Sequence, residues 1–103
     1  MIGKVTISPE VVREVARITT LATPGVLAMA ERQVGRNPPD PGVSVNVLDN
    51  SVSIKLRVIA AVDAPLHKLG QQIQASVANA INEIAGMTVS AVDVSFEDVR
   101  VKS

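Results

Sequence analysis

Residues 43–62 read VSVNVLDNSVSIKLRVIAAV, a two-residue period broken once. Val43, Val45 and Val47 alternate with Ser44 and Asn46, then Asp49-Asn50 interrupts. The alternation resumes through Val52, Ile54, Leu56, Val58, Ala60 and Val62. A period of two puts every second side chain on one face of a strand, and an Asp-Asn pair suits a tight turn. The stretch therefore predicts an antiparallel hairpin with one face buried. Ser53, Lys55 and Arg57 fall on the other face of the returning strand, which predicts that part of the sheet is open to solvent. Ile59 and Ala61 continue that second face but are apolar, which points to a cover over that end, supplied by another subunit.

A hairpin alone is too small to be stable in water, so the rest of the chain must cover its apolar face. Two segments have helical spacing. After a short strand-like start, Lys4-Val5-Thr6-Ile7, Ser8 stands at an N-cap position and Pro9 at the first helical position. Val11, Val12, Val15, Ile18, Thr19 and Ala22 form the predicted inward face, and Glu10, Arg13, Glu14 and Arg17 the outward one. Pro24 and Gly25 end this helix. In the second, Asp63 is the expected cap before Ala64-Pro65. Leu66, Leu69, Ile73, Val77, Ala80, Ile81 and Ile84 form its stripe, and Ala85-Gly86 its end.

Residues 26–34 read as a strand, 35–42 (GRNPPDPG) as a loop, and 87–101 as a last strand with Val92, Val94 and Phe96 on one face. The expectation is one α+β domain over residues 1–103. Two helices pack on one face of a mixed, mainly antiparallel sheet of about four to five strands.

The residue inventory argues against several chemistries. Phe96 is the only aromatic residue, so the core is aliphatic and stacking platforms for single-stranded nucleic acid are lacking. Ten basic residues balance ten acidic ones, leaving no field to attract phosphates. There is no cysteine and one histidine, His67, so a nucleophile–base pair or a thiolate metal site has no material. Asp93 and Glu97 share a face of the last strand but lie roughly 13 Å apart if extended, too far to share one ion. Cross-strand pairing with Lys55 or Arg57 is the simpler use for them. The P-loop and dinucleotide glycine patterns are absent, as is a Gly-x-x-Gly clamp. No run approaches the roughly 20 apolar residues of a membrane span, and no segment has the form of a signal peptide. The reading is a cytoplasmic protein that inserts in no membrane, binds no nucleic acid, needs no cofactor or metal, and has no catalytic residues.

One resemblance narrows this. GKVTISPEVVREVARITTLATPGV is similar to the start of the bacterial alkaline-shock-protein family, also called the envelope stress response family, through Gly3, Val5, Ile7, Ser8, Val11, Val12, Ile18, Gly25 and Val26. The hairpin and second helix are similar in order. EIAGMTVSAVDVSFEDVRV resembles the family's ending through Gly86, Met87, Val89, Val92, Val94 and Val99. Where the family often has a longer glycine-rich insert, this chain has LAMAERQVGRNPPDPG.

The resemblance implies a non-enzymatic protein that self-associates as a homo-oligomer. It also implies that the protein is held at the inner face of the cell membrane by a membrane-anchored relative, in support of envelope homeostasis under stress. A second branch implies regulation of lipid biosynthesis through an enzyme such as acetyl-CoA carboxylase. The residues themselves suggest one interaction surface with two parts. One is Lys55, Arg57 and Ile59 on the second sheet face. The other is Gln72, Ser76 and Asn79 on the amide-rich face of the second helix.

Overall fold

A computed structural model describes residues 2–32 and 41–102. The elements run α1 (Pro9–Leu21), β1 (Val26–Met29), β2 (Val43–Leu48), β3 (Ser51–Ala61), α2 (Leu66–Ala85) and β4 (Thr88–Arg100).

The hairpin forms as the alternation requires. β2 and β3 pair antiparallel from Leu48↔Ser51 to Val43↔Leu56, leaving Asp49-Asn50 as the turn, with Asp49 at φ 56°. Asp tolerates that left-handed geometry better than most residues. β1 pairs antiparallel with the far half of β3, at Ala60, Ile59 and Val58. β1 and β2 thus follow one another along a single edge of β3. β4 takes the other edge, in parallel, along the whole strand. Among the described strands the sheet is mixed, with two antiparallel pairings and one parallel, and the α+β class matches the sequence reading. A parallel pair needs a crossover, and α2 provides it.

The excursion between β1 and β2 leaves and returns at one residue. Ala30 N–H donates to the Arg57 carbonyl at 2.8 Å, and Arg57 N–H donates to the Gly42 carbonyl at 2.9 Å. Gly42 sits at φ 84°, and a Cβ there would lie 3.1 Å from the Ala30 carbonyl oxygen and 3.2 Å from that of Arg57. Only glycine fits this junction without strain. The predicted strand stops at Met29. Residues 33 and 34, and 35–40 of the predicted loop, lie outside the described residues.

The core is aliphatic, as the composition demands. Val52, Ile54, Leu56, Val58 and Ala60 of β3 are all at or below 1 % exposure and pack with Leu69, Ile73, Val77 and Ile81 of α2. Each of those four α2 side chains contributes ~1.5–3 kcal/mol on burial. Gly86, at φ 66°, closes α2 in the left-handed cap expected of it.

Several expectations are corrected. Residues 4–7 form no strand: a strand needs a partner to satisfy its backbone, none lies beside them among the described residues, and Val5 is 87 % exposed. The inward face of α1 is turned from the one predicted. Val12, Ala16 and Thr20 are buried, while Val11 and Ile18 are exposed and Ala22 is the exposed C-cap. Ala16 and Thr20 are small enough for close approach, and the Thr20 hydroxyl is satisfied by donating to the Ala16 carbonyl at 2.7 Å. Asp63 is not the cap of α2. It lies in the turn after β3, and Pro65 occupies the N-cap position with no side-chain hydrogen bond. Val62 and Ile84, both assigned to apolar faces, are 58 % and 64 % exposed, because β3 ends at Ala61 and Ile84 lies in the last turn of α2.

Candidate interaction surface

α2 carries no Asp, Glu, Lys or Arg between Leu69 and Asn82. Its inward stripe is spent on the core, so what it turns outward is neutral: Gln72, Ser76 and Asn79 are all exposed. α1 lies alongside and turns out an apolar stripe of its own, with Val11 46 %, Ile18 54 % and Leu21 36 % exposed. Where the end of α1 meets α2, a groove of about 450 Å³ is lined by Thr19, Ala22, Thr23, Pro24, Gln72 and Ser76. Two of the residues singled out in the sequence, Gln72 and Ser76, therefore border a concave surface. Asn79 lies about one turn further along the helix, outside that lining.

Glu14 lies one turn from both Val11 and Ile18, so one ion pair of α1 borders this stripe. Glu14 and Arg17 form a two-pronged ion pair, with Arg17 Nε donating to Glu14 Oε2 at 2.9 Å. That hydrogen bond, with the added attraction of the Arg17 charge, holds the Glu14 carboxyl below the usual carboxylate range.

Lys55, Arg57 and Ile59 belong to the opposite side of the molecule. They alternate with Ile54, Leu56 and Val58, which face the helices, so they point to the other side of the sheet. Lys55 is exposed, and Asp93 is its register partner on β4. The Arg57 side chain is only 17 % exposed. Its Nη2 donates to the Ala30 carbonyl at 3.3 Å, and its Nε lies 3.9 Å from Glu97 Oε1. Glu97 also accepts from Arg32 Nη2 at 2.6 Å and from the Ser95 hydroxyl at 2.7 Å. The Ser95 hydrogen bond first, and Arg32 second, hold the Glu97 carboxyl below its ordinary range. Glu97 thus has the cross-strand use expected of it, and Arg57 ties the stems of the β1–β2 excursion to the sheet.

Ile59 and Ala61 are 7 % and 4 % exposed within the single chain. Their cover comes from the chain itself, not from a second subunit. The six predicted surface residues thus fall into two groups that the fold does not bring together.

The sequence reading missed Val11, Ile18 and Leu21 as surface residues. The available signal was the Ala16/Thr20 pair, four residues apart, since small residues mark the side of a helix that approaches closely.

His67 is exposed, with its Nε2 3.4 Å from the Gln71 side-chain nitrogen. It borders a second groove, of about 410 Å³, together with Phe96. Gly70 lies beside that ring, and a Cβ there would touch Phe96 Cε2 at an ordinary contact distance of 3.4 Å. Among the described residues, no three His, Cys, Asp or Glu side chains gather as metal ligands would, and no helix is long and apolar enough to cross a membrane.

Comparison with known proteins adds to this geometry. The model of the alkaline shock protein family, described as having a cell envelope-related function, matches residues 1–101. No curated protein matches the chain. Among solved structures, the zinc form of a MamM CTD variant superposes with a TM-score of 0.63 at 14 % identity, over 89 % of this chain and 87 % of that one. The copper form of another variant gives 0.63 at 14 %, over 88 % and 98 %. At this identity the likeness is one of fold alone, and the zinc and copper belong to those proteins.

Proposed function

The chain belongs to the alkaline shock protein family, whose function is cell envelope-related, and from that premise we propose that it is a non-catalytic interaction domain. It associates with further copies of itself and acts in cell-envelope homeostasis from the cytoplasmic side, through a membrane-anchored protein partner. The observation that carries the reading is the outer surface of the helix layer. There the uncharged middle of α2 and the end of α1 form a groove lined by Thr19, Ala22, Gln72 and Ser76, and α1 also exposes Val11, Ile18 and Leu21. Neutral, partly apolar surfaces associate without the desolvation penalty of buried charge. A formal net charge of zero adds no long-range repulsion between copies.

The test is a tagged pull-down from the native bacterium in mild detergent, with mass spectrometry of the eluate, repeated with Ile18→Asp and Ser76→Arg. Recovery of a membrane-anchored protein that both substitutions abolish supports the reading. Recovery of a lipid-synthesis enzyme such as acetyl-CoA carboxylase moves the function to metabolic regulation. Recovery of neither, from a protein that stays monomeric, sinks it.

A further inference from the structure

The segment before α1 is written as a strand but is left without one. Lys4, Val5, Thr6 and Ile7 alternate, and Val, Ile and Thr favour strands. Yet Ile2 is 99 % and Val5 87 % exposed, and no strand lies beside them among the described residues.

The sheet has a matching vacancy. The two-residue turn makes Leu48 and Ser51 the hydrogen-bonded closing pair, and the Arg57-to-Gly42 bond keeps that parity. Val43, Val45 and Val47 therefore turn their N–H and C=O groups away from β3, towards an edge that pairs with no strand among the described residues. The other outer edge, on β4, is a poorer template. The β3–β4 register shifts twice, between Val52 and Ser53 and between Val58 and Ile59, and such irregularities discourage further pairing.

We propose that the arm of residues 2–6 adds as an antiparallel strand to the β2 edge of a second copy of this chain. This rests on the self-association part of the function proposed above and names its contact. The register follows from matching faces. Val5 opposite Val45 extends the apolar side of the sheet. The same alignment places Ile2 opposite Leu48, which is 72 % exposed, so the two most exposed apolar groups of arm and edge cover each other. Lys4 then meets Asn46 on the polar side. In this register Val5 and Val45 exchange both backbone hydrogen bonds, while Lys4 and Asn46 form the closer pair without them. Main-chain bonds to a free edge supply affinity, and alternate side chains supply register.

The chain has no cysteine, so engineered thiols report without background. K4C protein mixed with N46C protein, oxidised and run on a denaturing gel, is expected to give a disulfide-linked dimer, whereas K4C mixed with K55C is not. Val5→Pro removes the donor that the pairing requires. It is expected to weaken self-association, measured by sedimentation, at least about tenfold, with an unchanged thermal melt because Val5 is exposed. A cross-link found only within single chains of the K4C/N46C double variant would show the arm on its own sheet and overturn the proposal. Self-association that Val5→Pro leaves intact would also overturn it, while preserving self-association through another surface. A chain that is monomeric at every concentration defeats both.

Discussion

α1 starts with strong local signals and buries little, whereas α2 starts with almost none and buries a great deal. Ser8 caps α1, Pro9 opens it and Glu10 sits in its first turn, yet the side chains it buries are Val12, Ala16 and Thr20. α2 has a proline at its N-cap, no side-chain cap and no acidic residue in its first turn, and it buries Leu69, Ile73, Val77 and Ile81. The difference teaches that a helix is secured in two interchangeable ways, by satisfying its free ends or by burying its face. A helix secured by its face has its outer side free of structural duty. This is why α2 can turn a neutral surface outward.

Four measurements test this contrast. Ile73→Ala strikes the buried stripe at a fully enclosed side chain and is expected to cost about 2–5 kcal/mol in a denaturant melt; a loss below that of any α1 variant would break the contrast. Val12→Ala, the corresponding change on α1, is expected to cost less, about 2 kcal/mol, because fewer carbons are removed from the core.

Ser8→Ala and Asp63→Ala form the third test. The Ser8 hydroxyl accepts from Val11 N–H at 3.4 Å, a long bond, so its loss should fall at the low end of the about 0.5–2 kcal/mol typical of caps. Asp63→Ala should stay within about 0.5 kcal/mol of wild type, as an ordinary surface change. A larger loss for Asp63 would restore it as the cap of α2.

The smallest effect is in pH. The folded-state pKa of Glu14 is depressed by its hydrogen bond to Arg17. Its contribution is therefore present above the ordinary carboxylate range and is lost as pH falls through the depressed value. α2, uncharged along its middle, has no such dependence there. Hydrogen exchange on acidification should loosen α1 amides before those of α2, and Glu14→Gln should remove the difference.

Much of this molecule could be read without its structure. The Asp49-Asn50 turn, the alternation of β3, the Ser8-Pro9 start of α1 and the Gly86 end of α2 each depend on a few neighbouring residues and on backbone geometry that sequence encodes directly. The candidate surface was half legible for the same reason. A charge-free run on a helix is visible as a run, so Gln72, Ser76 and Asn79 could be named, but which side of α1 would lie beside them could not.

Tertiary structure decided what depends on distant partners. α1 offers two apolar stripes, and close packing chose the one with Ala16 and Thr20, leaving Val11 and Ile18 outside. The end of β3 holding Ile59 is covered by the chain itself, which alternation cannot show. Residues 4–7 have the pattern of a strand but, among the described residues, no neighbour to complete it. A pattern specifies which groups seek burial or pairing. Only the assembled fold determines whether they find it, because the hydrogen bonds of a sheet and the contacts of a core belong to two segments at once.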